Sequence, residues 1–115
     1  MLRLYGIKNC DSVKKAVKQL NEQQTPYEFV DLKQVTLDTA LLKDWLSQQP
    51  KQLVNKRSTT YRSVKADWLA AEERNDRDAH IVILQNNPTL IKRPVIQKDD
   101  GTIIVGFDAE TYQQL

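Results

Sequence analysis

The residue in this chain best suited to covalent chemistry is its only cysteine, Cys10, in the stretch Leu4-Tyr5-Gly6-Ile7-Lys8-Asn9-Cys10-Asp11-Ser12-Val13-Lys14-Lys15-Ala16. A thiol becomes a nucleophile when its thiolate is favoured, which needs positive charge or unpaired N–H groups close to the sulfur. Lys8, Lys14 and Lys15 supply charge within about a turn, and the surrounding loop is polar. The adjacent carboxylate of Asp11 opposes a thiolate unless its charge is used in capping. An isolated cysteine is also often a small core residue, so accessibility is the property to establish.

The elements that must position Cys10 follow from periodicity. Leu2, Leu4 and Tyr5-Gly6 read as a strand that runs out at Gly6. Val13, Ala16, Val17 and Leu20 fall at i, i+3, i+4 and i+7, the stripe of an amphipathic helix. Cys10 is thereby placed in a strand-to-helix turn, with Asn9 or Asp11 as the candidate N-cap and the free N–H groups of the first helical turn nearby. Ser12 is either a hydroxyl donor to a thiolate or a capping side chain.

The remaining segments predict one α/β unit with an insertion. Pro26 turns the chain into a strand over Tyr27–Leu32, so strand, helix and strand make a βαβ unit with a right-handed crossover and parallel strands. Thr36 is the expected cap of a second helix whose apolar face is Leu37, Leu41, Leu42, Trp45 and Leu46, ending before Pro50. Gln52–Arg57 is compatible with a short helical turn, and Ser58–Arg62 reads as a polar loop. A helical pattern runs through Trp68–Ala71 to Glu73 and breaks at Asn75-Asp76. Ile81–Leu84 is ambiguous: β-branched propensity suits a strand, while Asp76 or Asp78 could cap a helix ending before Pro88. Leu90–Gln97 reads as a strand interrupted by Pro94, Asp99-Asp100-Gly101 as a hairpin turn, and Thr102–Phe107 as the partner strand. Asp108 then caps a short helix through Tyr112.

Composition excludes several function classes. The chain has 115 residues, the length of one domain, with 28% charged residues and a net charge of +2. That near-balance carries no electrostatic footprint for nucleic acid or a membrane surface. One cysteine cannot build a disulfide framework, and no apolar run has the length of a signal peptide or a membrane span, so a soluble cytoplasmic protein is expected. One cysteine and one histidine, His80, cannot assemble a tetrahedral metal site, and no glycine-rich phosphate loop is present. His80, Trp45 and Trp68 read as packing residues, and Tyr5 as lining either the core or the site.

Four segments in order, Tyr5-Gly6-Ile7-Lys8-Asn9-Cys10-Asp11, Asn55-Lys56-Arg57, Ile91-Lys92-Arg93-Pro94 and Gly106-Phe107, closely resemble the arsenate reductase (ArsC)/Spx-like family, and within it the small YffB-type members. The resemblance implies a thioredoxin-like α/β fold, βαβ plus ββα with a mixed four-stranded sheet, and a helical insertion over about 37–87. It implies a cis Arg93-Pro94 bond against the Cys10 turn, and a buried helix at Ile81–Leu84.

Carried over by position, the resemblance makes Cys10 the nucleophile and Arg57 and Arg93 its supporting arginines; Lys8, Asn9, Ser12, Lys92 and Pro94 are the candidate substrate-binding residues beside them. Guanidinium groups suit this role because they donate paired hydrogen bonds to carboxylates and oxyanions. Arsenate reductases of this type follow the cysteine with a Gly-Thr-Ser-Arg-like turn and carry a third arginine where this chain has Gly106-Phe107. Here Asp11-Ser12-Val13-Lys14 follows Cys10, which disfavours arsenate. Val13 stands where Spx-type regulators often carry a second cysteine, so an internal disulfide switch is impossible. A lone thiol needs an external resolving thiol, and glutathione, with two carboxylates for Arg57, Arg93, Lys8 and Lys92, is the expected co-substrate. The expected activity is a glutathione-dependent thiol oxidoreductase acting on a thiol or mixed-disulfide substrate. A non-catalytic, Spx-like module that docks on a protein partner is the alternative, and residual arsenate reduction a third.

Overall fold

The computed structural model describes residues 1–115, which divide into two compact units, one of 1–35 with 93–115 and one of 36–92. In the first unit, β1 (Leu2–Gly6), α1 (Asp11–Glu22) and β2 (Tyr27–Asp31) are followed, after the second unit, by β3 (Val95–Gln97), β4 (Ile103–Val105) and α5 (Ala109–Gln113). The strands form one mixed sheet in the order β2-β1-β3-β4, with β1 parallel to β2 and antiparallel to β3, and β3 antiparallel to β4. This is the βαβ plus ββα arrangement that the resemblance implies.

The stripe expected of α1 faces the core. Val13, Ala16 and Leu20 are buried with Leu4 of β1, Ile96 of β3 and Tyr112 of α5. Burying this apolar surface supplies most of what holds such a helix on its sheet, since a helix of this length is marginal alone. Polar side chains tie the C-terminal end of α1 to α5: Gln19 Nε2 donates to the Ala109 carbonyl at 2.8 Å and Gln23 Nε2 to that of Tyr112 at 2.9 Å. At the C-terminus of α1, Gln24 takes φ +59°, and the Gln24 and Thr25 N–H groups close onto the Asn21 and Leu20 carbonyls. That paired closure ends the helix with its last carbonyls satisfied.

The second unit contains α2 (Thr39–Gln48), α3 (Thr59–Glu73), α4 (Arg77–Asn86) and a 3-10 turn at Pro88–Leu90. Several expectations change here. The N-cap position of α2 belongs to Asp38, not Thr36, while Leu37 just before it is buried. Ser58–Arg62 is not a loop: the Ser58 hydroxyl accepts from Tyr61 N–H at 3.1 Å, and α3 begins at Thr59 with Tyr61 in the core. The hydroxyls that look like loop composition are a cap and a first turn. Gln52–Arg57 is not helical, because Val54 bridges antiparallel to Ile91, with Lys92 N–H on the Leu53 carbonyl and Asn55 N–H on that of Leu90. The expected strand at Leu90–Gln97 is correspondingly reduced to β3.

Ile81–Leu84 is helical. Ile81 and Leu84 are buried three residues apart while Val82 is 52% exposed, a spacing that a strand could not produce. Asp76 starts the helix by accepting from Ala79 N–H at 3.1 Å. Asn75, at φ +53°, ends the preceding one, consistent with the expected break. Trp68 and His80 stack with centroids 3.7 Å apart, and a His80 ring nitrogen lies 3.0 Å from the Trp68 carbonyl, so both are packing residues. No helix is long and apolar enough to cross a membrane.

Candidate active site

Cys10 is itself the N-cap of α1, in extended conformation at φ −126° and ψ 124°, so neither Asn9 nor Asp11 takes that position. Asp11 is the first helical residue, and its side chain is exposed. The N-cap is the position whose side chain faces the free N–H groups of the first turn. A serine there would make a short capping bond. The larger, softer sulfur makes no short capping bond, but the Val13 and Ser12 N–H groups favour its thiolate.

The sulfur is half-buried and rests against the core that contains Val13 and Leu4. Partial burial opposes the charged form. It is outweighed by the Val13 N–H, the Arg93 guanidinium, the Ser12 N–H and the charge of Arg93, so the Cys10 pKa lies below that of an ordinary thiol. Backbone donors and one arginine therefore perform what three nearby lysines suggest in the sequence.

Strand register explains why Arg93 reaches Cys10 across 83 positions of chain. Tyr5 pairs with Val95 in the antiparallel β1–β3 ladder, so the residues just before β3 lie beside those just after β1. Arg93 precedes a cis peptide bond to Pro94, as expected, and Pro94 is buried. The loop is tied to the far side of the sheet, with Gly106 N–H donating to the Pro94 carbonyl at 2.8 Å. Gly106 adopts φ +84°, which glycine reaches without the clash a Cβ would bring. Tyr112, buried with its hydroxyl pKa raised by burial, donates to the Gly106 carbonyl at 3.1 Å and so braces that turn from below.

Gly6 governs the other side. A Cβ there would stand 2.8 Å from a Val13 methyl, so only glycine lets the first turn of α1 close on the end of β1. The sequence marks Gly6 as a strand end but does not show this approach, which depends on the docked helix. Gly106 likewise stands out in sequence only through the resemblance.

The structure brings together Cys10, Ser12, Arg93 and, through the cis bond, Pro94. Lys8 and Asn9 are exposed in the turn just before Cys10. Arg57 and Lys92 belong to the helical unit: Arg57 is exposed, with its main-chain N–H on Asn55 Oδ1 at 3.2 Å, and Lys92 is exposed beside Ile91. Tyr5, left open between core and site, is buried with its hydroxyl 3.2 Å from Gln97 Oε1. No three His, Cys, Asp or Glu side chains are grouped as a metal site would require.

A model of the ArsC family matches residues 5–115. The chain belongs to the ArsC family. An uncharacterized Haemophilus influenzae protein is 39% identical over 118 residues, covering 98% of this chain and 96% of its own. Among solved structures, the YFFB protein superposes with a TM-score of 0.83 at 34% identity, over 99% of this chain and 97% of that one. An arsenate reductase (ArsC) related protein from Brucella melitensis gives 0.73 at 34% identity, over 98% and 92%. The thioredoxin-like fold and the YffB-type resemblance read from the sequence both stand.

Proposed function

We propose that this ArsC-family protein is a glutathione-dependent thiol oxidoreductase with Cys10 as its nucleophile. The observation that carries the reading is the capping thiol held below an ordinary pKa by the Val13 and Ser12 N–H groups and by Arg93, despite partial burial. Such a thiol ionises more readily than an ordinary one and is exposed enough to be attacked.

In the proposed cycle the Cys10 thiolate attacks the glutathione sulfur of a mixed disulfide. A Cys10–glutathione disulfide forms and the substrate leaves as its thiolate. A second glutathione thiolate then attacks the glutathione sulfur of that bond, releasing glutathione disulfide and regenerating the Cys10 thiolate. Each turnover consumes one free glutathione: the substrate sulfur is reduced to its thiol, and the glutathione it carried departs joined to the free one as glutathione disulfide. Arg93 stabilises the Cys10 thiolate each time it leaves, and Arg93 and Lys8 are assigned to the carboxylates of glutathione; Arg57 and Lys92, expected from the sequence to share this role, lie in the helical unit. Ser12, Asn9 and Pro94 complete the binding turn. One free thiol with this chemistry fits a reducing, cytoplasmic setting. Arsenate is the less favoured substrate. Gly106-Phe107 stands where arsenate reductases of this type carry a third arginine, so a doubly charged oxyanion lacks one of its expected donors here.

The deciding experiment is the pH dependence of Cys10 alkylation in the native protein, Arg93→Ala and Arg57→Ala, with turnover of a glutathione mixed disulfide. The native midpoint should fall below the roughly 8.5 of a free thiol, rise in Arg93→Ala, and accompany turnover that Cys10→Ser abolishes. A thiol with an ordinary midpoint and no exchange with glutathione would sink the catalytic reading in favour of a module that docks on a protein partner.

A further inference from the structure

β2 is an edge strand whose only sheet neighbour is β1. Leu32 N–H donates to the Gly6 carbonyl at 2.9 Å, which sets the parity of the strand. Glu28 and Val30 turn their main-chain groups toward β1, as Leu32 does. The N–H and C=O of Tyr27 and Phe29, with the N–H of Asp31, turn outward. The Asp31 carbonyl is already taken by Gln34 N–H at 3.0 Å, so the open edge ends there.

Both faces beside this edge are open. On the α1 side lies a shallow groove of about 620 Å³ with a floor of Val13, Val17, Tyr27 and Phe29 and a rim that includes Lys8, Lys14 and Lys18. On the other side a second depression of about 380 Å³ shares Lys8 and Phe29 and adds Glu28, Val30, Asp31, Gln34 and Val35, the last 42% exposed. The cationic rim thus belongs to the α1 side, while Glu28 on this side pairs with Arg3. None of the three rim lysines lies within ion-pair distance of an acid. Glu22 is the one acid on the α1-side groove, at the end of α1 remote from Lys8. An edge with unsatisfied main-chain groups, an apolar floor on one face and a cationic rim is suited to one kind of ligand.

We propose that the β2 edge is a docking site for an extended segment of a partner protein, apolar at alternate positions and acidic at its ends, which adds to the sheet as a fifth strand. Strand addition satisfies the outward N–H and C=O groups of Tyr27 and Phe29, which a lipid chain cannot do. Alternate apolar side chains then fall on the Val13–Val17–Phe29 floor, and the acidic ends meet the lysines. Charge disfavours a second copy of this chain as the occupant. Two β2 strands paired antiparallel about a two-fold axis would put both α1 helices on one face and bring Lys14 and Lys18 toward their own counterparts. The site goes beyond the thiol chemistry proposed above and needs no turnover at Cys10.

The test is an amide NMR titration of the full ¹⁵N-labelled chain with the blocked peptide Glu-Glu-Val-Thr-Phe-Thr-Val-Glu-Glu. Shifts should map to Lys8, Lys14–Lys18 and Tyr27–Asp31. Replacing the peptide's glutamates by lysine, or using the Lys14→Glu/Lys18→Glu variant, should weaken binding by about tenfold. N-methylation of one alternate set of peptide amides should abolish binding while methylation of the other set spares it. The absence of shifts at millimolar peptide overturns the proposal. So does binding indifferent to N-methylation in both registers, which would describe a groove for a non-strand ligand, or concentration-dependent self-association through β2, which would make the occupant a second copy.

Discussion

The two compact units are held by contacts of different range, and Cys10 with Arg93 sits in the one held by the longer. The helical unit is continuous, 36–92, and its helices start and stop on neighbouring residues: Ser58 caps Tyr61, Asp76 caps Ala79, and Asn75 closes α3. The sheet unit is assembled from two pieces of chain, 1–35 and 93–115, joined where Tyr5 meets Val95. Cys10 and Arg93 lie at that join. A thiol whose pKa is lowered in this way depends on ladder register, whereas the helical unit depends on caps and packing.

Substitutions in each unit sharpen the contrast. The largest effect is expected in the helical unit, where Trp45→Ala removes a side chain with no exposed surface and should cost about 3–5 kcal/mol. Urea unfolding, with amide exchange followed in α2 to α4, measures it; a loss under about 1 kcal/mol would mean that this core is not closely packed around Trp45. Gly106→Ala should cost less, about 1–2 kcal/mol, because φ +84° is a left-handed conformation. It should nevertheless do what the larger cavity has no stated reason to do, namely raise the Cys10 alkylation midpoint by loosening the Gly106–Pro94 hydrogen bond. A midpoint unchanged in destabilised Gly106→Ala would show that Arg93 is held without that turn.

The smallest effect concerns stability against pH. The Cys10 pKa is lower in the folded chain than in an ordinary thiol, so ionisation favours the native state. The contribution is complete above the unfolded thiol pKa and is lost as pH falls through the folded value. Cys10→Ser should therefore flatten the stability profile across that window and leave its slope on the acid side unchanged, the serine's capping bond shifting the whole profile by a constant amount. Parallel profiles for the two proteins through the window would contradict a lowered folded pKa.

Local pattern carried much of this into the sequence. The α1 stripe of Val13, Ala16 and Leu20, the β2 alternation and the Asp99-Asp100-Gly101 turn each depend on residues within a few positions. Patterns misled, or left the element open, where one run had two uses. Ser58–Arg62 has loop composition and is a capped helix start, and Ile81–Leu84 has strand propensity and is a helix because only Ile81 and Leu84 find a core. Both are cases in which burial decided what propensity left open.

By itself the sequence determined the strand-turn-helix that carries Cys10 and, through four ordered segments, the family. It could not determine which group caps α1, how closely Gly6 lets Val13 approach, or which cation faces the sulfur. The near lysines are the obvious candidates by spacing, yet the charge acting on Cys10 comes from Arg93. Sequence proximity fixes distance only along the chain, and the antiparallel ladder from Tyr5 to Val95, with the cis bond at Pro94, folds residue 93 back onto residue 10.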